Sequence, residues 1–352
     1  MKRLNIALLH PYLDRIGGAS QMMIHLAHTL EKKHTVSLYT LSYDSDIYSI
    51  SSDIFVNSYS RNTLLKYCYL FLIAYRIRNA DMIVIGNSPM QFIAWISKRI
   101  FFSNAKLIWW QHHIPWYHSE HTNIFLYGKR QLERFVIQDI DLLLASSQYL
   151  CKRIESIWNI SAHTLYPYVD FELPSSLPER KKYVLFTYGR WVSGKNIDQV
   201  FQTYDALRPQ ISDLELWVGG EGNELEKYIS KYKNNKNVKI LGRLNSEQII
   251  SYGAQATVFL FPSQIDAFGM VVIEAQSLGL PIVCFDIHSS CELVQNGVNG
   301  YRVSSSEDFI DKVDMILNDE QLRDILSAGA SKQALVFQKS YFESQSQKLL
   351  GL

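Results

Sequence analysis

The chain has 352 residues, 47% of them hydrophobic, and a formal net charge of +1. This length exceeds what one hydrophobic core usually serves and sets an expectation of two domains, while the near-neutral charge excludes bulk attraction to nucleic acid, so any anion site has to be local. No stretch reaches the roughly 18 apolar residues of a membrane-spanning helix, and the start, Met1 to Pro11, is too short in apolar length for a signal peptide; a cytoplasmic protein is the expectation.

Along the first half, short apolar runs predict strands at Leu4–Leu9, Thr35–Thr40, Met82–Ile85, Lys106–Trp110 and Leu142–Ala145, separated by helix-like segments. Gly17-Gly18-Ala19-Ser20 follows the first strand and opens an amphipathic helix with Met22, Met23, Leu26, Ala27 and Leu30. Paired glycines there serve either as plain turn geometry or as a close backbone approach to a phosphate. Asp44-Ser45-Asp46 has the spacing of a metal clamp, but in a serine-rich polar loop it reads as a solvated turn. The segments Leu64–Arg78 and Trp95–Phe102 mix aromatic and basic residues, a composition that fits buried helix packing and equally a peripheral contact with an anionic membrane.

The strand around Trp109 ends in Gln111-His112-His113-Ile114-Pro115. A histidine at a strand's carboxyl end can face a cleft and hydrogen-bond a sugar hydroxyl or orient an acceptor; His10, also at a strand end, reads as a wall residue. Cys68, Cys151, Cys284 and Cys291 show no Cys-x-x-Cys spacing and no zinc pattern, so they read as buried, reduced thiols.

Prolines gather between Pro167 and Pro178, where they cannot occupy a helix interior. That places a boundary between two α/β domains, each a doubly wound parallel sheet, with ligands bound at the carboxyl ends of the strands in a cleft. The expected division is residues 1–172, residues 173–335, and a C-terminal helix over 336–352 that packs back on the first domain.

In the second half strands are predicted at Tyr183–Tyr188, Leu214–Gly219, Val238–Leu241, Thr257–Phe261 and Ile282–Phe285. After the first of these, Tyr188-Gly189-Arg190 to Lys195-Asn196 forms a strand-to-helix loop with two cations suited to a diphosphate. After Phe261 the chain breaks at Pro262-Ser263 and a helix starts past Phe268-Gly269, with Asp266 and Glu274 flanking the turn. Backbone N–H groups freed at a helix start bind anions, and a carboxylate one turn in can accept two hydroxyls at once. Together these are the outline of a sugar-nucleotide site.

These residues resemble glycosyltransferase family 4, the retaining enzymes of GT-B fold that transfer sugars from nucleotide donors. The resemblance covers nearly the whole chain and is strongest from Tyr183 to Val303. It rests on Gly189-Arg190 with Lys195, Asp266 and Glu274 around Phe268-Gly269, Gly279-Leu280-Pro281, and Glu292-Leu293-Val294 with the glycines that follow. It implies two Rossmann-like domains facing across a cleft. Arg190 and Lys195 then meet the donor diphosphate, Glu274 the ribose hydroxyls, and Asp266, where the family usually has glutamate, the transferred sugar. Phe268, Gly269 and Met270 offer backbone to sugar and phosphate, Gly242, Arg243 and Leu244 frame the base, and Gly17 and Gly18 close on the diphosphate from the opposite domain. His113 best matches the family's cleft histidine, with His112 a near rival; His288 stands in a loop where glycine is common.

The implied activity is metal-independent, retaining transfer of a sugar from GDP-mannose or a UDP-hexose to a glycan or lipid-linked acceptor, in polysaccharide or glycoconjugate biosynthesis, with no cofactor beyond the nucleotide sugar. Peripheral attachment to the cytoplasmic face of a membrane accompanies a lipid-linked acceptor. The rival reading is a catalytically silent partner subunit that keeps the nucleotide pocket. A nicotinamide dehydrogenase ranks last, because no Gly-x-Gly-x-x-Gly follows the first strand.

Overall fold

The computed structural model describes all residues except Met1, Arg15, Ile16, Ser49, Ser52, Asp53, 58–62, 113–123, Ser175, Leu177 and His288. Two units divide the chain: unit 1 holds Met1–Pro167 and Glu343–Leu352, and unit 2 holds Tyr168–Phe342.

Unit 1 runs β1 (Asn5–Leu9), β2 (Tyr12–Leu13), α1 (Gly18–Glu31), β3 (Thr35–Tyr39), β4 (Ser42–Tyr43), β5 (Phe55–Asn57), α2 (Thr63–Arg76), β6 (Met82–Ile85), α3 (Met90–Arg99), β7 (Lys106–Gln111), α4 (Ile124–Ile137), β8 (Leu142–Ala145), α5 (Gln148–Trp158) and β9 (His163–Thr164). Its seven-stranded sheet has the order β5-β3-β1-β6-β7-β8-β9, and every pairing is parallel. Strands such as Met82–Ile85, buried at all four positions, carry no polar alternation because helices cover both faces of a parallel sheet.

Unit 2 runs β10 (Val184–Arg190), α6 (Ile197–Leu207), β11 (Glu215–Glu221), α7 (Glu226–Tyr232), β12 (Val238–Gly242), α8 (Ser246–Gln255), β13 (Val258–Phe261), α9 (Met270–Ser277), β14 (Ile282–Phe285), α10 (Ser290–Leu293), β15 (Gly300–Val303), α11 (Ser306–Asn318) and α12 (Glu320–Ala334), and α13 (Lys339–Leu350) spans the second division point. The sheet is again parallel, ordered β12-β11-β10-β13-β14-β15. Its core joins Leu185, Val218, Leu260 and Val283 of the sheet to Phe201 of α6 and Ile316 of α11.

The α/β class and the doubly wound parallel sheets agree with the sequence, and each of the ten expected strands lies within two residues of an observed one. The short pair β2 and β4 and the edge strands β5, β9 and β15 were not expected. They have two to four residues each, too few for a periodicity to register.

Strand order reverses at β1 and β6 in unit 1 and at β10 and β13 in unit 2, and at such a switch point the loops after two neighbouring strands part and leave a crevice. The side chain of Thr187 ties the second pair together, its hydroxyl donating to the Leu260 carbonyl at 2.7 Å. Helix α9, which follows β13, is fixed from behind. It ends at Gly279 with φ +70, Arg180 donates to the carbonyls of Leu278 and Gly279 at 3.0 Å each, and α12 packs along it.

Within α12, Gly329 lies against the Val298 backbone, where an added Cβ would come 1.8 Å from the carbonyl oxygen. In an open helix Gly→Ala gains about 1 kcal/mol. Here Gly329→Ala should instead destabilise by about 1–3 kcal/mol, because the clash is with backbone; urea unfolding checks the sign.

Candidate active site

Two loops meet at the carboxyl ends of β10 and β13. The first leaves β10 at Arg190, whose side chain is exposed, and is pinned by Trp191, buried with its indole N–H donating to the Gly219 carbonyl at 2.8 Å. It then turns through Gly194 at φ +87 and Asn196 at φ +51 before α6. The second loop follows Phe261, and its Gln264 N–H donates to the Gly194 carbonyl at 2.9 Å. Across this junction Lys195 Nζ meets Asp266 Oδ2 at 2.5 Å, both side chains keeping part of their surface in solvent. The Ser289 hydroxyl adds a third anchor, donating to the Asp266 carbonyl at 3.2 Å.

Past Asp266, Phe268 is buried, edge-on to Phe337 at 5.7 Å, and Gly269 at φ +99 is the N-cap of α9. A glycine there allows the left-handed backbone and supplies no side-chain cap; the Val272 N–H donates back to the Gly269 carbonyl at 2.9 Å, and the Met270 and Val271 N–H groups ahead of it are the ones suited to an anion. One turn in, Glu274 accepts a hydrogen bond from the Tyr188 hydroxyl. Burial pushes the Glu274 carboxyl above the ordinary carboxylate range, and the Tyr188 hydrogen bond opposes that shift. Tyr188, itself nearly buried, is raised well above a normal phenol, first by burial and then by the Glu274 charge, so it remains a donor at neutral pH. Sequence reasoning gave Tyr188 no role. Its one signal was its place two residues before Arg190, which puts both on the same face of β10.

On the same rim β12 ends at Gly242, with φ +64, followed by exposed Arg243. Leu244 packs over Gly219, where an added Cβ would lie 2.5 Å from the leucine methyl. The structure thus places Arg190, Lys195, Asp266, Phe268, Gly269, Met270, Glu274, Gly242, Arg243 and Leu244 at the carboxyl end of one sheet, and brings Lys195 and Asp266 into direct contact.

The residues expected in unit 1 fare differently. Gly17, the N-cap of α1, is extended at φ −164, and its N–H donates to the Tyr48 hydroxyl at 3.1 Å. Its backbone therefore needs no glycine-specific conformation, and its donor is engaged; Gly18 is the first residue of α1. His10 is buried, with Nε2 3.1 Å from the Ser20 hydroxyl, and an added Cβ on Gly86 would lie 2.7 Å from its Nδ1. His113 and His288 lie outside the described residues. His112 is buried, its ring 4.5 Å from that of Trp110.

Sequence reasoning also passed over Glu133 of α4, which is buried and accepts from Gln91 at 3.0 Å. Burial raises its carboxyl to about 7, against the lowering effect of the Gln91 bond. Cys151 and Cys284 are buried free thiols, whereas Cys291 is exposed, contrary to expectation: it sits on the short helix α10, at the surface of unit 2. Asp44 closes a local turn on the Asp46 N–H at 2.9 Å. Among the described residues no three His, Cys, Asp or Glu side chains gather as metal ligands would.

Comparison with known proteins identifies the family and the fold. The family model for group 1 glycosyl transferases matches residues 170–333, and that for glycosyltransferase family 4 matches residues 16–173. An uncharacterised glycosyltransferase of Haemophilus influenzae is 24% identical over 344 residues, 92% of each chain. The capsular polysaccharide biosynthesis glycosyltransferase CapM of Staphylococcus aureus is 27% identical over 158 residues, 43% of this chain and 41% of that protein. Among solved structures, Anabaena HepE, crystallised with UDP and glucose, matches with a TM-score of 0.82 at 17% identity, covering 99% of this chain and all of that one. Both halves are matched in order, and the chain belongs to the group 1 glycosyltransferases, enzymes of GT-B fold.

Proposed function

We propose that this enzyme transfers a hexose from a UDP-sugar to a glycan or lipid-linked acceptor in polysaccharide or glycoconjugate assembly, with retention of configuration and without a metal ion. The observation that carries the reading is the cluster at the β10/β13 switch point: two cations, Arg190 and Lys195, beside an uncapped helix start, with Glu274 one turn further along α9. UDP as the nucleotide is supported by HepE, which was crystallised with UDP and glucose, and a surface glycan as the product by CapM, whose name assigns it to capsular polysaccharide. Retention is supported by the resemblance to family 4.

In this reading the bond from the sugar C1 to the β-phosphate oxygen breaks as the acceptor oxygen bonds C1 on the same face, and the acceptor proton passes to the departing phosphate. Negative charge grows on the β-phosphate, and fixed cations with oriented N–H groups stabilise it most where water is excluded. Arg190, Lys195 and the first turn of α9 supply that field. Glu274, held in one orientation by Tyr188, accepts the ribose hydroxyls, and Asp266 faces the transferred sugar. His113 stands as the acceptor-side histidine.

The Lys195–Asp266 contact links two of these roles, because the lysine is shared between the aspartate and the incoming diphosphate. Asp266→Asn frees the lysine, so UDP affinity should hold or rise a few-fold, a partly solvated pair being worth on the order of 1 kcal/mol, while turnover falls. Glu274→Ala should raise the Kd for UDP about tenfold or more, since hydrogen bonds to a charged acceptor contribute about 1.5–3 kcal/mol each. Calorimetry separates the two, and equal losses of UDP affinity would overturn the assignment. Transfer should also persist in excess EDTA; complete loss that added metal restores would refute metal independence.

Glu274 further sets a pH dependence. Its carboxylate is the accepting form and burial makes it harder to ionise, so UDP affinity should be full above the raised value and fall as pH drops through it, above the usual range of about 4.3. Glu274→Gln should lack that step. Tyr188→Phe, which removes the lowering hydrogen bond, should move it to higher pH. Titrations of UDP binding across pH would show an unshifted step if Tyr188 were a bystander.

A further inference from the structure

At the switch point of unit 1 the chain leaves β6 through Gly86-Asn87-Ser88-Pro89 and enters α3. Gly86 is wedged at the root of this loop. Its N–H donates to the Leu9 carbonyl at 2.8 Å, its carbonyl accepts from the Trp109 indole at 3.0 Å, and an added Cβ would lie 2.7 Å from His10 Nδ1 and 2.8 Å from the Met23 methyl. The loop therefore starts from a fixed point at the carboxyl end of the sheet, where open α/β sheets bind ligands. Asn87 and Ser88, next along it, keep part of their surface in solvent.

Gln91, in the first turn of α3, is buried. Its amide nitrogen donates to the Ser88 hydroxyl oxygen at 3.1 Å and to Glu133 Oε1 of α4 at 3.0 Å. Both N–H groups are thus spent, and the carboxyl group fixes which end of the amide faces it. Gln91 Oε1 is buried with no hydrogen-bond partner among the described residues. A leucine would fill the same space without that cost, because a buried carbonyl lacking a donor loses its hydration without replacement. Packing alone does not account for the glutamine, whereas a tether does: Glu133 holds the amide, and the amide holds Ser88.

Because Ser88 Oγ accepts from Gln91, its own proton is turned elsewhere, and among the described residues nothing accepts it. Asn87 Oδ1 likewise meets no donor among the described residues. One group offers a proton and its neighbour receives one. A sugar hydroxyl, which both donates and accepts, matches that pair; a phosphate, which needs several donors, does not. Resting on the sugar transfer proposed above, we propose that the Asn87–Ser88 loop holds a hydroxyl of a neutral sugar residue of the glycosyl acceptor, and that Gln91, tethered by Glu133, is a positioning residue that sets the Ser88 hydroxyl for it.

Methyl glucopyranoside, galactopyranoside and mannopyranoside serve as probes, and saturation-transfer NMR on the full chain reads their binding without a donor present. At least one should bind, and the 6-phosphate of the same sugar should bind about fivefold more weakly or worse. Ser88→Ala and Gln91→Leu should each raise the hexoside Kd about fivefold, as for one lost neutral hydrogen bond. The double variant should be no weaker than either single one, because Gln91 acts through Ser88. Glu133→Gln, which keeps an oxygen for the amide, should retain the binding that Glu133→Leu loses. Ser88→Ala, at a half-buried loop position, tests the contact without disturbing the buried pair. Absence of binding by all three hexosides, unchanged binding in Ser88→Ala, additive losses in the double variant, equal losses in Glu133→Gln and Glu133→Leu, or equal binding of the 6-phosphate would overturn the proposal. Calorimetry should give the same Kd for UDP in every variant, since unit 2 is untouched, so a failure of the donor reading shows separately as absence of UDP binding to the unaltered chain.

Discussion

In a parallel sheet each strand must be followed by a crossover that carries the chain to one side, and in unit 2 the crossover after β10 leads to β11 while that after β13 leads to β14. The two loops therefore part above neighbouring strands, and groups attached to them converge on the gap from opposite sides. Lys195 and Asp266 are far apart in sequence and meet there. Thr187, donating to Leu260 across β10 and β13, and Trp191, donating to Gly219, fix the floor of the gap. Without the reversal the same residues would sit on loops running side by side, and no crevice would form.

Three charged groups of this gap, Lys195, Asp266 and Glu274, are paired within the protein itself. Lys195 carries Asp266, and Glu274 carries Tyr188. Pairing limits the cost of holding charge in a partly buried place and keeps each side chain in one rotamer, so the orientation is set before a ligand arrives. Under the proposed function the two pairs differ in what they would retain once a diphosphate and a ribose are bound. A phenol raised far above neutrality stays protonated and can go on donating to Glu274, whereas the ammonium of Lys195 has to divide its attraction between Asp266 and a phosphate. One pair is a fixed support and the other an exchangeable contact.

Legibility in the sequence followed burial and backbone constraint. Central strands are apolar along their length, so Met82–Ile85 and Ile282–Phe285 stood out, while the edge strand Gly300–Val303, half buried with polar interruptions, did not. Arg190, Lys195, Asp266 and Glu274 were visible because glycines and prolines mark the turns that display them. Tyr188 was invisible for the opposite reason: an aromatic residue in a buried strand reads as core, and only the fold shows its hydroxyl on Glu274. Glu133 was missed in the same way, since a lone carboxylate on a basic helix reads as solvated. The Lys195–Asp266 contact could not be read at all, because no local pattern registers a pairing between loops made neighbours by sheet topology.

The aspartate at 266 takes on a definite meaning in this setting. Its short side chain keeps the carboxylate close to its own loop, with the Phe268 N–H 3.4 Å from Oδ1, and it is the long, flexible lysine that crosses to it. A glutamate would project one methylene further and could hold the same lysine only by folding back or by displacing it toward the phosphates. The shorter acid thus leaves more space above the loop while keeping the cation anchored at the junction of the two loops. Under the proposed function, space gained at the sugar and charge retained at the diphosphate would come from the same missing methylene, so a change in donor-sugar selectivity at this position would not require any loss of leaving-group stabilisation.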